Sequence, residues 1–367
     1  MYTSWAIIAA SASIFLFGTG AFAETGQTPP PPTRDLRQLV TSDPKTRDAL
    51  LDSLKAADWN NITTLDAFYD YADALAHSPP EASSVLPLSH AFFYMIDQSD
   101  DLKQDGDFQA WVKQFAREWG AFMDTPESAA SIQTFIDDPS FNTSDYIVAP
   151  SGWLTFNQFF AREFKPGRRP IAGRNNDAIL TSPADNIMKA SLNIDDNDTI
   201  TVKGANYTIE QLLSDSDYFK EFAGGTYIHL YQNTNNYHRF HVPVTGKLIE
   251  KKNISGLVSL DLKKTEDGDL VTIDGDSYQF NQQRGLIVLE TPTAGLVAVL
   301  PIGMSIVSSV QLTPDLGAHL TKGDEFGYFQ FGGSDIVVVF QADRVDITAE
   351  AGKKYLMGEE IARARSR

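Results

Sequence analysis

The sequence predicts an α+β protein in which a helical amino-terminal part precedes a β-rich carboxy-terminal part. Apolar and aromatic residues recur at helical spacing through residues 34–147, whereas short β-type runs separated by Gly, Asp and Asn follow residue 170. The spacing and composition of the apolar residues change after Ser151. A length of 367 residues favours two domains, which we place at 34–150 and 151–367. Helices followed by strands, without alternation, are typical of the α+β class.

Two aromatic stripes predict helices in the amino-terminal part. The first follows the capping-box-like start Thr63-x-x-Asp66 and recurs at Leu65, Phe68, Tyr69, Ala72 and Leu75. The second recurs at Trp111, Phe115, Trp119 and Phe122. Stripes of this kind are more often core than a cofactor-binding surface, so we interpret both as core. A short aromatic helix over 155–164 follows, and Lys165-Pro166-Gly167 is expected to end it.

Five short runs predict strands in the second part. They cover residues 226–231, 246–249, 285–289, 296–300 and 335–340. The acidic segment 266–276 lacks the regular ligand spacing of a calcium loop, so we interpret it as a solvated hairpin.

The first residues are typical of an export signal. Residues 5–17 form an apolar run, and Ala21 and Ala23 fit a small-x-small cleavage pattern behind it. We therefore predict a signal peptide over 1–23, a Pro-rich linker over 24–33 and a periplasmic or secreted mature protein. Because no Lys or Arg precedes the apolar run, an uncleaved membrane anchor stays open as the alternative.

Composition and charge exclude several functions. The chain has 30 Lys and Arg residues against 48 Asp and Glu residues, a formal net charge of −18, and no cysteine. Because nucleic-acid binding and attachment to anionic bilayers depend on clustered basic residues, we expect no nucleic-acid partner and at most transient membrane contact. Without Cys, covalent chemistry must use oxygen, nitrogen or a group that the protein makes for itself.

Three polar motifs in the β-rich part carry the candidate chemistry. Asp185 lies in a turn after an apolar run, His238 and His241 are two of only six histidines, and Ser334 follows two glycines. No carboxylate or further His adjacent to the histidine pair completes a metal site, so we predict no metal. An Asp, a His and a Ser from separate segments are the parts of a nucleophilic triad, and sequence alone leaves open whether they meet.

Four motifs together resemble those of phosphatidylserine decarboxylases. Residues 159–171 resemble the family's FFxRxxKPGxRPI segment, 182–185 its Ser-Pro-x-Asp, 237–243 its Tyr-His-Arg-x-His-x-Pro, and 327–334 its Gly-Gly-Ser self-cleavage site. They occur in the family's order and cover about 151–345. The helical part resembles the extra amino-terminal domain of a soluble branch, which includes enzymes that act on free aromatic amino acids.

The resemblance implies a proenzyme that cleaves itself between Gly333 and Ser334. Asp185 would hold His241, which would deprotonate the Ser334 hydroxyl for attack on the Gly333 carbonyl. Elimination from the resulting ester would leave a pyruvoyl group at Ser334, the only cofactor implied. The cleaved chain 334–367 would stay bound as a partner.

The resemblance also implies a carboxy-lyase reaction, from phosphatidylserine to phosphatidylethanolamine, through a Schiff base. His238, or His241 acting a second time, would be the acid that protonates the α-carbon. Decarboxylation of a free amino acid, an aromatic one included, is the alternative substrate interpretation. A serine hydrolase that does not cleave itself and an inactive binding module are further alternatives. The oligomeric state stays open, a homo-oligomer included.

Two positions depart from the family pattern. Asn186 replaces a Gly, a mild change because Asn tolerates left-handed torsions. Asp335 replaces a Thr and puts a carboxylate next to the scissile bond, where we expect it to affect ester formation or elimination.

Overall fold

The computed structural model describes residues 31–202, 204–273, 278–303, 309–330 and 334–366, without the side chain of Ser334. The predicted signal peptide 1–23, most of the linker 24–33 and Gly333 lie outside the described residues. Pro32–Arg367 form one compact unit, in which one hydrophobic cluster contains residues of both the helical and the β-rich parts. The boundary at residue 150 stays a prediction.

Helices dominate up to residue 160, and strands dominate from residue 179 onward, which confirms the predicted α+β class. The α-helices of the described residues are α1 (Arg34–Ser42), α2 (Pro44–Ala57), α3 (Leu65–Ala76), α4 (Val85–Ile96), α5 (Asp100–Gln104), α6 (Gly106–Phe122), α7 (Ile132–Ile136), α8 (Phe156–Phe160) and α9 (Ile209–Leu213). Within the part of the chain that the structure describes, no helix combines the length and the apolar character needed to cross a bilayer.

Local signals explain where the two aromatic helices begin. The hydroxyl of Thr64 accepts a hydrogen bond from the Ala67 N–H at 3.3 Å and caps α3, so the start predicted at Thr63 is wrong by one residue. Asp105 caps α6 by accepting from the N–H groups of Asp107 and Phe108. The predicted core stripe of α6 is buried at Trp111, Phe115 and Trp119.

Helix α8 is shorter than predicted, because the chain turns away after Phe160 and Phe164 forms an antiparallel bridge with Tyr146. This bridge places Phe164 beside Tyr146, at the end of the helical part. The side chain of Arg162, buried in this turn, donates hydrogen bonds to the carbonyl oxygens of Asn235 and Asn236 at 2.9 and 3.0 Å. This contact fixes the motif 159–171 beside the segment that carries the histidine pair.

The β-rich part is built around an eight-stranded antiparallel sheet with strand order β13-β7-β10-β11-β15-β5-β2-β17. Smaller sheets are β1-β18-β16, β12-β14-β6, β3-β4 and β8-β9, the last being the hairpin predicted in the acidic segment. The described strands are β1 (Ile179–Thr181), β2 (Asn186–Asn193), β3 (Thr199–Val202), β4 (Ala205–Thr208), β5 (Thr226–Gln232), β6 (Arg239–His241), β7 (Gly246–Ile254), β8 (Leu262–Lys264), β9 (Leu270–Thr272), β10 (Arg284–Thr291), β11 (Gly295–Gly303), β12 (Val310–Leu312), β13 (His319–Leu320), β14 (Glu325–Phe329), β15 (Ser334–Phe340), β16 (Val345–Ile347), β17 (Lys354–Tyr355) and β18 (Glu360–Ala364).

Strand β15 lies in the middle of the large sheet and is buried on both faces. Ile336 and Val338 belong to the cluster shared with the helices, whereas Val337 and Val339 belong to a second cluster on the other face. Successive side chains of a strand point to opposite faces, which explains the continuous apolar run. The sheet thus separates two environments, one on each side of β15.

Candidate active site

Gln232, at the end of β5, brings the three predicted motifs together. The backbone of Ser334 pairs with Gln232 in the register of β15 and β5. The Gln232 amide donates to the carbonyl oxygens of Tyr237, at 2.8 Å, and Asp185, at 3.4 Å. The His241 N–H donates to the Pro183 carbonyl at 2.8 Å. The backbone at Ser334 therefore adjoins the segments of Asp185 and of both histidines.

The hydrogen bonds of His241 define its tautomer. Nδ1 lies 2.9 Å from the Gly323 carbonyl oxygen, and Nε2 lies 2.9 Å from the Tyr237 hydroxyl. Because a carbonyl oxygen only accepts, Nδ1 carries the proton and Nε2 accepts from the phenol. Burial lowers the pKa of His241 to about 4, and burial raises the pKa of Tyr237 well above its ordinary value. The result is a neutral imidazole whose basic nitrogen is Nε2.

Asp185 has a different partner from the one that the family resemblance implies. Its carboxylate accepts two hydrogen bonds from Arg169, at 2.8 and 2.5 Å, and one from the Met357 N–H at 2.9 Å. Among the described residues, no hydrogen bond joins the carboxylate to His241, so the structure contradicts the implied direct contact. The physical reason is that the carboxylate is held by the bidentate guanidinium of Arg169, while both ring nitrogens of His241 have other partners, Gly323 and Tyr237. The role of Asp185 in self-cleavage stays a prediction.

His238 is completely buried, and its ring stacks on Phe160 with centroids 3.9 Å apart. Within the described part of the chain, neither ring nitrogen forms a hydrogen bond of good geometry, although the Asn236 backbone lies close enough to oppose the fall in the ring's pKa. Burial, assisted by the nearby charge of Arg162, lowers the pKa of His238 well below its ordinary value. Both nitrogens of a neutral imidazole thus stay available to a group outside these residues, which is unusual because buried polar atoms are normally paired.

Asp335, the departure from the family pattern next to the predicted scissile bond, has its carboxylate hydrogen-bonded to His229 and Tyr278. Its Oδ2 lies 2.6 Å from Nε2 of His229 and also accepts from the Tyr278 hydroxyl. The Gln279 amide nitrogen lies 3.1 Å from the same His229 nitrogen. The side chain of Asp335 points to the same face of the sheet as Val337 and to the opposite face from Ile336. The group formed by Asp335, His229 and Tyr278 therefore lies on the face opposite the hydrophobic cluster that contains the amino-terminal helices.

Several residues of these clusters carried no role in the sequence interpretation. Arg169 and Tyr237 lie inside the motifs 159–171 and 237–243, so their places in these motifs could have identified them. Gln232, His229 and Tyr278 gave no such signal, because only the strand register places them beside Ser334 or Asp335. Among the described residues, no group of three His, Cys, Asp or Glu could hold a metal ion.

Comparisons with known proteins identify the family. The family model described as phosphatidylserine decarboxylase matches residues 156–363. A phosphatidylserine decarboxylase proenzyme of Fusobacterium nucleatum is 33% identical over 241 residues, which cover 64% of this chain and 76% of that protein. One from Clostridium novyi is 32% identical over 258 residues, 68% of this chain and 84% of that protein.

A third relative, phosphatidylserine decarboxylase proenzyme 2 of Oryza sativa subsp. japonica, is 32% identical over 241 residues. The match covers 65% of this chain but only 38% of the rice protein. The matched region contains all four motifs and the strands that bring them together, which confirms the predicted family and its carboxy-lyase class. This chain belongs to the phosphatidylserine decarboxylase family.

Proposed function

We propose that this chain is a proenzyme that cleaves itself between Gly333 and Ser334 and then decarboxylates phosphatidylserine. The observation that carries the proposal is the register of β15 with β5, which sets the backbone of Ser334 opposite Gln232. Through its amide, Gln232 joins the segment of Asp185 to the segment of the histidine pair. The relatives that share this region are named as proenzymes of phosphatidylserine decarboxylase.

In the proposed cleavage, Nε2 of His241 accepts the proton of the Ser334 hydroxyl as that oxygen attacks the Gly333 carbonyl. The peptide bond is exchanged for an ester, and the proton passes to the amide nitrogen that leaves the carbonyl. Loss of the α-proton of residue 334 then expels the Gly333 carboxylate and breaks the chain. A neutral His241 suits the first step, because protonation would remove the accepting lone pair.

Hydrolysis of the remaining enamine, with release of ammonia, would leave a pyruvoyl group at residue 334. The group supplies a carbonyl that takes up the electron pair released by decarboxylation. The described residues fit it, because neither buried nitrogen of His238 forms a hydrogen bond of good geometry there. An anionic substrate group beside His238 would raise its depressed pKa toward the range in which it can deliver a proton to the α-carbon.

The proposal extends to the cleaved chain and its compartment. Strand β15 pairs with β11 on one side and β5 on the other, so the chain 334–367 would stay bound after cleavage. We also propose that residues 1–23 direct export and that the mature protein acts in the periplasm or outside the cell. Amino-terminal sequencing of the mature protein from its source tests the export proposal, which fails if residue 1 is retained.

Denaturing mass spectrometry of the purified full chain tests the cleavage. We expect a large fragment ending at Gly333 and a small fragment beginning at residue 334 with a pyruvoyl group. Ser334→Ala should give only the intact chain. An intact wild-type chain that reacts with a fluorophosphonate would instead indicate a serine hydrolase, and an intact unreactive chain would indicate a binding module.

Release of CO2 from phosphatidylserine vesicles, measured beside a panel of free amino acids, tests the substrate. We expect release from the phospholipid. Release from a free aromatic amino acid alone would contradict the proposed substrate while leaving the cleavage mechanism intact.

A further inference from the structure

A groove of about 370 Å³ lies between helix α6 and the sheet β12-β14-β6, with Asn253 of β7 also in its wall, and the proposed chemistry leaves this groove unused. Its helical wall contains Lys113, Arg117 and Gly120, and its opposite wall contains Gln283, Ser309 and Gln330. Lys113 and Arg117 are four residues apart, so they share one face of α6. The groove thus combines two cations and neutral hydrogen-bonding side chains with apolar surface from residues such as Trp119 and Val310.

The two cations of the groove are not neutralised by the protein. Among the described residues, neither Lys113 nor Arg117 forms an ion pair, whereas Arg34 and Arg37 of the same helical part pair with aspartates. Although the chain has a net charge of −18, no carboxylate of the described residues forms an ion pair with either cation of the groove. Such an arrangement favours a ligand that brings its own negative charge.

One carboxyl group also lines the groove and must be weighed against the two cations. Asp124 lies two helical turns beyond Arg117, about 10 Å along the axis. Burial raises the pKa of its carboxyl group, and Oδ1 accepts a hydrogen bond from Asn157 at 3.0 Å. Asp124 is thus engaged with the protein, and the end of the groove near Lys113 and Arg117 keeps its positive character.

The backbone connects the groove to the cleavage site. The Gly303 N–H donates to the Gln283 carbonyl at 2.8 Å, and Gly303 pairs with Ser334 in the register of β11 and β15. Gln283 is therefore two strand spacings, about 10 Å, from the backbone of Ser334. The Ser309 hydroxyl donates to the Gln330 side chain at 2.7 Å and closes the sheet side of the groove next to the segment that leads to Ser334.

We infer that this groove binds the anionic oxygen group of the substrate, a phosphodiester in the case of a phospholipid. The inference rests on the proposed function, because it assumes that the substrate amine reacts at residue 334. In phosphatidylserine the phosphorus lies three bonds from the α-carbon, so a headgroup at Ser334 extends its phosphate away from the reacting atoms. A free aromatic amino acid has no second anionic group, so the groove favours the phospholipid among the two substrate interpretations.

Kinetics with water-soluble dibutanoyl phosphatidylserine test the inference on the full, self-cleaved protein. The double variant Lys113→Gln/Arg117→Gln should raise KM by about tenfold for each cation removed, with kcat within about twofold. The matched control is Lys45→Gln/Arg47→Gln, which removes the same charge from exposed positions of α2. We expect the control to match the wild type.

A second variant blocks the groove without changing its charge. A Cβ added at Gly120 would meet no atom within 4 Å, so Gly120→Phe should fold and place its ring in open space. KM should again rise at least tenfold. Equal amounts of the small cleavage fragment and an unchanged melting temperature show that each variant is folded and mature.

Calorimetric titration with glycerophosphoserine, inorganic phosphate and L-serine separates this inference from the proposed function. Glycerophosphoserine should bind the wild type at least tenfold more tightly than the double variant, and L-serine should not distinguish them. Phosphate binding as tight as that of glycerophosphoserine, and lost in the variant, would assign the site to free phosphate. Equal KM values and equal titrations for wild type and double variant would overturn the inference, even where the protein decarboxylates phosphatidylserine.

Discussion

Strands β5 and β15 carry one histidine–carboxylate pair, His229 and Asp335, and segments beside the ends of these strands carry Asp185 and His241. The two sets differ in how their hydrogen bonds are used. On the side away from the amino-terminal helices, where α9 packs, His229, Asp335 and Tyr278 bond to one another. On the side shared with the helices, Asp185 is bonded to Arg169, and His241 is bonded to Tyr237 and Gly323. A direct hydrogen bond between an Asp and a His therefore joins Asp335 to His229, a pair that the sequence did not predict.

The difference indicates distinct roles for the two clusters. His229 and Asp335 use each other as partners, so their polar groups stabilise the buried start of β15. Nε2 of His241 accepts a hydrogen bond from the Tyr237 phenol, which the Ser334 hydroxyl could replace in the proposed cleavage, and neither nitrogen of His238 forms a hydrogen bond of good geometry in the described chain. Catalysis requires groups whose hydrogen bonds can be exchanged. His241 and His238 are such groups, and they lie on the side of the sheet that packs against the amino-terminal helices.

The largest expected effect distinguishes His241 from His229. His241→Gln removes the proposed general base, so self-cleavage should slow by about 100-fold or more. His229→Gln should still yield the small fragment, because His229 bonds to Asp335 on the face of the sheet opposite His241. Pulse-labelled synthesis followed by gel analysis measures both rates. If His229→Gln abolished cleavage in a protein with native circular dichroism, the division of roles would be wrong.

The second prediction concerns stability. Asp335→Ala leaves the Tyr278 hydroxyl and His229 buried without their carboxylate partner, so the free energy of unfolding should fall by about 3 kcal/mol. Asp346→Ala removes an exposed carboxylate that pairs with Arg365 and should change it by less than about 0.5 kcal/mol. Urea unfolding of Ser334→Ala backgrounds, which stay intact, gives both values. Equal losses in the two variants would contradict an anchoring role for Asp335.

The third prediction uses the pH dependence of stability. The pKa of folded His241 is about 4, below the 6.5 of an exposed His, so the unfolded chain binds more protons between these values. Stability from this group is therefore complete above pH 6.5 and is lost as the pH falls toward 4, by up to about 3 kcal/mol. His241→Gln should remove this part of the profile. An unchanged profile in that variant would show that His241 is not buried as a neutral base.

The smallest expected effect comes from Tyr237→Phe. The phenol donates to Nε2 of neutral His241, so its removal should raise the pKa of His241 by less than about one unit. The acid limb of the cleavage rate should shift to higher pH by the same amount, while the rate at pH 8 changes by no more than about fivefold. Loss of all cleavage in this variant would make Tyr237 part of the chemistry.

Much of the fold was predictable because it depends on local periodicity. The aromatic stripe of α6 and the apolar run 335–340 each specify an element whose spacing is visible within a dozen residues. Boundaries were less predictable, since Thr63 and Thr64 are both acceptable caps and the geometry of the turn selects Thr64. The candidate site residues were identified from four motifs that occur in the family's order. The order of motifs carries no information on which side chains hydrogen-bond to one another.

The sequence by itself determined the α+β class, the family motifs and the identity of Asp185, His238, His241 and Ser334 as candidates. Only the tertiary structure decided that Arg169 holds Asp185, that Asp335 lies on the far side of the sheet and that a cationic groove adjoins the site. These contacts join residues distant in sequence, His229 and Asp335 being 106 positions apart. They depend on strand register, where a shift of one residue moves every side chain to the opposite face.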